Sequence, residues 1–196
     1  MKIAIIGAGL SGCVSYYQLA RLGHDVKIFE KSRGVGGRIS TKYVDNYKID
    51  HGTPYFESSN SKFLEFCDLL CSNNILRKTN NIFYPVSGIN KMCSFLIKEE
   101  DLITNTKIVS INNTSKSNII LYDDKNNKLE GFDLVIVTIP APQILTLNLP
   151  INDQFKNLLN TVSYHQIATI LAYNRHSPTK CQFTNTKIIF KKLIDK

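Results

Sequence analysis

Residues 2–38 read KIAIIGAGLSGCVSYYQLARLGHDVKIFEKSRGVGGR, and this stretch decides the fold. Ile3 to Ile6 form a continuous apolar run, the pattern of a strand covered on both faces. Gly7, Gly9 and Gly12 follow in G-x-G-x-x-G spacing. From Gly12 to Leu22 the chain carries Val14, Tyr17, Leu19 and Ala20 at helical spacing, with Gly23 placed to stop the helix. Asp25 to Phe29 reads as a second strand, and Glu30 stands at its end, 18 residues after Gly12. Strand, glycine turn, helix, strand and acid in that order predict a parallel β-α-β unit.

Such a unit is built to hold a dinucleotide, and each residue has a physical task. Gly7 makes the tight turn, Gly9 lets a pyrophosphate approach the backbone, and Gly12 allows the helix to pack closely on the strand. Ala8, Leu10 and Ser11 complete the turn that leads into the helix. Their N–H groups and about half a positive charge at the helix N-terminus face the phosphates. Glu30 is placed to accept hydrogen bonds from an adenosine ribose. Its charge would repel a 2′-phosphate, which argues against NADP.

Past the acid comes a second glycine-rich loop, Lys31-Ser32-Arg33-Gly34-Val35-Gly36-Gly37-Arg38, which nicotinamide-binding folds do not require. With it, the chain resembles the glutathione-reductase-like flavoproteins of the amine oxidase superfamily, whose E-K-x-x-x-x-G-G-R stretch lies against the flavin cofactor. Asp50-His51-Gly52-Thr53-Pro54-Tyr55-Phe56 is similar to the D-H-G-x-x-Y-F of the renalase-like oxidoreductases in that group. Ser40-Thr41, Ser87 to Met92 and Asp133 to Gln143 agree with it, and the likeness covers about residues 1–173.

The resemblance implies an α/β fold: a Rossmann-like FAD-binding domain of the glutathione-reductase-like type, with an antiparallel β insertion and an incomplete second domain. It divides the chain into an FAD-binding domain over 1–148, with 57–87 bordering the substrate domain, and the start of a substrate domain with a divergent tail over 149–196. It implies FAD as cofactor, hydride transfer to flavin from a reduced nicotinamide dinucleotide or an amine, and dioxygen as acceptor. By the same likeness Lys31, Gly36, Gly37 and Arg38 lie beside the cofactor, and Gly52 brings backbone to the flavin edge. His51 sits nearby in a structural rather than acid–base role. Tyr55 and Phe56 pack near the cofactor. Val109 holds the adenine through its backbone, and Thr138 falls at the carboxyl end of a strand past the dinucleotide. No catalytic acid or base is identified. Two other readings stay open: an inactive remnant that keeps only the dinucleotide-binding unit, and a plain NAD-binding module.

Composition sets the remaining bounds. The 196 residues, 43% hydrophobic and 20% charged, describe a globular protein, with no apolar run near the ~20 residues of a membrane span. The start does not read as a signal peptide, so a cytoplasmic location is expected. A net charge of +8 rests on 19 Lys against 5 Arg scattered along the chain, which does not make a nucleic-acid footprint. Five cysteines without a C-x-x-C argue for reduced thiols and no metal; Cys67 and Cys71 share a helix face.

Further along, residues 39–52 read as extended and 60–72 as an amphipathic helix with Phe63, Phe66, Leu69 and Leu70 inward. Asn80-Asn81 reads as a turn, followed by a strand over 82–86 and a helix over 89–98. Strands are expected at 102–103, 106–111 and 134–138, and a hairpin at 117–131. A short helix is expected around Phe155, Leu158 and Leu159, and a strand over 166–173. Gly131 is the last glycine, so the Gly-Asp segment with which these flavoproteins close the cofactor site is missing. The chain is therefore expected to be an N-terminal part, completed by a separate downstream chain or left with little oxidase turnover.

Overall fold

The computed structural model describes residues 1–45, 47–113, 118–165 and 169. Met1–Val162 form one compact unit, and a second begins at Ser163. The strand expected over 166–173 lies outside the described residues.

The centre of the first unit is a four-stranded parallel sheet. Its strands are β1 (Lys2–Ile6), β2 (Asp25–Phe29), β8 (Leu102–Ile103) and β12 (Leu134–Val137), in the order β12-β1-β2-β8. β1 lies in the middle because Ile3, Ala4, Ile5 and Ile6 bury side chains on both faces. Asp133 fixes its register: its carboxylate accepts from the Lys2 amide at 2.7 Å, and its own amide donates to the Lys2 carbonyl at 2.8 Å.

On one face Ile3, Ile5, Val26 and Ile28 pack with Cys13 and Tyr16 of α1 (Leu10–Arg21) and with Cys93 and Leu96 of α3 (Lys91–Leu96). On the other face, Ala4, Ile6 and Phe29 meet Ile108, Ile111, Leu121 and Phe132. Those residues belong to an antiparallel sheet of β9 (Ile108–Asn113), β10 (Ile119–Asp123) and β11 (Lys128–Phe132). Each fully buried aliphatic side chain contributes about 1.5–3 kcal/mol, so this two-sided burial is what holds β1 central. The expected hairpin is β10–β11, and buried Asp123 ties its turn by accepting from the amides of Lys125 and Asn127 and the side chain of Asn127.

A third cluster joins α2 (Ser61–Ser72) to a small sheet of β5 (Phe56–Glu57), β6 (Leu76–Thr79) and β7 (Ile82–Pro85). Asn60 caps α2 by accepting from the Phe63 amide. The inward face differs from expectation: Cys67 is fully buried, and Leu69 stands 37% exposed. Residues 39–52 are not one extended run. They fold as a hairpin, β3 (Thr41–Val44) with β4 (Tyr47–Asp50), turned through Asp45 at φ 51°. Two short helices close the unit, α4 (Ala141–Ile144) and α5 (Asp153–Asn160). Among the described residues no helix is long and apolar enough to cross a membrane.

Candidate functional site

The carboxyl ends of β12, β1 and β2 share one edge of the sheet, and the fingerprint turn leaves β1 there. β1 continues by way of α1 to β2 on one side, while β12 lies on the other. A chain that reverses direction in this way leaves a crevice at the switch point, where ligands of open parallel sheets bind.

The three glycines have different reasons to be glycine. Gly7 sits at φ 103°, a conformation side chains avoid, and a Cβ there would lie 2.9 Å from the Ile139 methyl. Gly12 lies inside α1, and a Cβ there would run into the Gly7 carbonyl oxygen and meet Thr138 Oγ1 at 2.9 Å. Gly9 is the N-cap of α1 at φ −74°, and a Cβ there would find nothing within 4 Å. The fold therefore requires Gly7 and Gly12, but it leaves open space at Gly9. Helix α1 starts at Leu10, two residues before the expected Gly12, and Cys13 N donates to Gly9 O at 3.0 Å. The amides of Leu10, Ser11 and Gly12 have no intrahelical acceptor, so they are available to an anion.

Glu30 is buried, 9% exposed, and both carboxylate oxygens are engaged. One accepts from the Ala8 amide at 2.8 Å and the other from the Ser32 amide at 2.8 Å. The acid thus staples the fingerprint turn to the loop after β2, a duty the sequence does not announce. Each carboxylate oxygen has a second lone pair, so a ribose hydroxyl can still be accepted.

The second glycine loop lies across the first. Gly36 N donates to Ala8 O at 2.9 Å, and Gly9 and Gly36 form a parallel bridge. Gly36 and Gly37 take φ 119° and 56°, and a Cβ on Gly37 would stand 3.6 Å from Gly9 Cα. Lys31 and Arg38 are exposed, and Lys31 Nζ donates to Gln143 Oε1 at 3.0 Å. Thr138 follows β12, and its hydroxyl lies 3.0 Å from each of the Ile6 and Gly7 carbonyls, so it holds the turn on the strand.

The other expected site residues also make contacts within the fold. Gly52 is close to backbone, but that backbone is the Arg38 carbonyl, which a Cβ at Gly52 would strike. His51 Nε2 lies 3.3 Å from Ser40 Oγ. Phe56 stacks on Phe83 at 5.4 Å within the third core cluster, and Tyr55 is 42% exposed beside Tyr84. The Val109 carbonyl accepts from the Asn148 amide at 2.9 Å. The segment that runs beside Glu30 is Asn105-Thr106: Thr106 N donates to Glu30 O and Asn105 N to Ser32 O.

Asp50 belongs to the frame: its Oδ1 accepts from Thr41 Oγ1 at 2.6 Å and from the Ile89 amide at 2.9 Å, joining the β3–β4 hairpin to the approach to α3. Beneath the turn, Cys13 donates to the Ala8 carbonyl at 3.4 Å. Its hydrogen-bonded neighbour Cys93, and then burial, hold that thiol far above the ordinary range. It is a packing group rather than a nucleophile. Among the described residues no cluster of His, Cys, Asp and Glu is suited to a metal. Two surface hollows lie away from the turn: an open polar one of about 510 Å³ at Glu57–Asn60 and Asn81, and an apolar groove of about 280 Å³ along β12.

Comparison with known proteins agrees with this geometry. Residues 5–70 match the family of NAD(P)-binding Rossmann-like domains. A 4,4′-diapophytoene desaturase (4,4′-diaponeurosporene-forming) of Staphylococcus haemolyticus is 37% identical over 79 residues, which is 35% of this chain and 16% of that protein. The enzyme of the same name from Staphylococcus aureus (strain Newman) is 46% identical over 52 residues, 26% of this chain and 10% of that protein. This chain therefore aligns with only a small part of the curated relatives it matches.

In structure the chain is similar to a CLA-producing fatty acid isomerase from P. acnes, with a TM-score of 0.64 and 14% identity over 81% of this chain and 63% of that one. A redesigned putrescine oxidase gives 0.61 and 12% identity over 81% of this chain and 62% of that one. The first unit thus has an α/β Rossmann-like fold, and residues 5–70 are similar to NAD(P)-binding domains of that fold.

Proposed function

We propose that this chain binds FAD at the glycine turn and forms the adenosine- and pyrophosphate-holding part of a flavin-dependent oxidoreductase. The observation that carries this reading is Gly9. Nothing in the fold needs a glycine there, since a Cβ would meet no atom within 4 Å, whereas a pyrophosphate drawn against the backbone would need that space. The amides of Leu10, Ser11 and Gly12 then face the phosphates, and Glu30, already anchored by Ala8 and Ser32, accepts from the ribose. Arg38, an exposed planar guanidinium on the second loop, suits bidentate contact with the pyrophosphate. When bound, FAD would supply hydride acceptance and reoxidation by dioxygen. The hydride donor we assign is a reduced nicotinamide dinucleotide or an amine, in keeping with the renalase-like D-H-G-x-x-Y-F stretch at residues 50–56.

Competition separates this reading from its rivals. If the chain grips the adenosine end, ADP displaces bound FAD and FMN, which lacks that end, does not. Equal displacement by FMN, or the absence of FAD binding, overturns it. Bleaching of bound flavin under anaerobic conditions by a reduced nicotinamide dinucleotide, or by an amine, identifies the donor. No bleaching by either, with FAD bound, favours the inactive remnant.

A further inference from the structure

The Lys31–Gln143 hydrogen bond crosses the fingerprint turn. Lys31 stands two residues past the end of β2, and Gln143 lies on α4, which follows β12. β2 and β12 flank β1 in the sheet, and all three are parallel. A bond from Lys31 Nζ to Gln143 Oε1 at 3.0 Å therefore reaches over the carboxyl end of β1, where Gly7 to Gly9 emerge.

We propose that this pair is a strap across the dinucleotide cleft and that Gln143 governs how fast a dinucleotide is exchanged. The inference rests on the reading of the turn as a dinucleotide site. The two anchors are fixed. Gln143 N donates to Pro140 O at 2.8 Å, and Gln143 O accepts from Thr146 Oγ1 at 2.8 Å. On the other side, Ser32 N is held by Glu30, and Ser32 O accepts from Asn105 N at 3.0 Å. What can give way is the side-chain link, a single bond between an exposed lysine and a half-buried glutamine. Opening it also frees the Lys31 ammonium for an anionic ligand.

A lone exposed hydrogen bond of this kind holds the closed form by only a small factor, so removing it speeds exchange by about two- to tenfold and does not create or destroy the site. A strap that covers the empty cleft and withdraws from the filled one slows association. A rim group that touches only bound ligand slows dissociation and leaves association unchanged.

Stopped-flow quenching of FAD fluorescence on the full chain tests this, with wild type, Gln143→Ala, Lys31→Ala and the double variant. The strap predicts that Gln143→Ala raises the association rate by about two- to tenfold. It also predicts that Gln143→Ala has no effect in the Lys31→Ala background, because the bond is already gone. Gln143→Glu, which turns the bond into an ion pair, slows association. Unchanged association in Gln143→Ala, or an equal change with Lys31 absent, overturns the strap while leaving the FAD site standing. If wild type binds no FAD, the site reading and the strap fall together.

Discussion

Replacing Glu30 by Gln separates a structural carboxylate from one that only reads a ribose. In the structure its two oxygens accept from the Ala8 and Ser32 amides, both at 2.8 Å, in a position 9% exposed. A glutamine can satisfy one of these amides with its carbonyl. Its NH2 group then faces the other, donor against donor, so one charge-assisted bond is lost and a shielded N–H is left without a partner. Together these cost about 2–4 kcal/mol. For a folded unit of this size each kcal/mol moves Tm by about 2–4 °C, so ligand-free Glu30→Gln should melt roughly 5–12 °C below wild type. A carboxylate that served only the ribose would leave the ligand-free protein unchanged and cost about 1 kcal/mol of FAD affinity. Differential scanning calorimetry without ligand decides between them, with exposed Glu65→Gln as the control. Ligand-free Glu30→Gln melting with wild type would refute the staple.

Gly12→Ala should abolish soluble folding, although alanine ordinarily favours a helix interior by about 1 kcal/mol, because its Cβ would strike the Gly7 carbonyl; expression followed by circular dichroism checks this. Asp101 accepts from Tyr16 Oη and from Lys27 Nζ at 2.6 Å, and burial, which acts against its charge, is outweighed by these two donors, so its carboxyl lies below the usual range. The lowered value means that Asp101 stabilises the fold above the unfolded carboxyl pKa, with the contribution lost as pH falls through the folded one. Asp101→Asn should therefore lower Tm at neutral pH and flatten its acid dependence in a pH series. Asp50→Ala should lower Tm by several degrees by freeing Thr41 and the Ile89 amide. Among the described cysteines, partly exposed Cys71 should alkylate first and Cys13 last, as peptide mass mapping after a short iodoacetamide pulse would show.

The first forty residues were legible because each residue type there answers a local demand. Gly7 needs a positive φ, Gly12 needs the absence of a Cβ, and the apolar run needs two covered faces. The duty of Glu30 was hidden because its partners are backbone amides, which any sequence supplies. The β3–β4 hairpin was missed since its turn runs through Asp45 without a Gly or Pro to mark it. The strand expected at 106–111 begins instead at Ile108, since the Thr106 amide is spent on Glu30 and the Lys107 carbonyl on Asp124. The helix expected at 89–98 shortens to Lys91–Leu96 because Asp50 holds the Ile89 amide outside it and Ile97 is extended at φ −117°. Polar β6, with only Leu76 buried, carries no alternation to read. Gln143 could be found only by seeing which strand ends the sheet brings together.

The most direct test of the central claim is calorimetric titration of wild type and Gly9→Val with FAD and with NAD. Gly9→Val should keep its melting transition, because the space at Gly9 is open. Wild type should bind FAD in preference to NAD, and Gly9→Val should lose FAD by at least about tenfold, as a branched side chain fills the path of the pyrophosphate. A folded Gly9→Val that binds FAD as wild type does would contradict the assignment of the turn, and a wild type that prefers NAD would contradict the assignment of the cofactor.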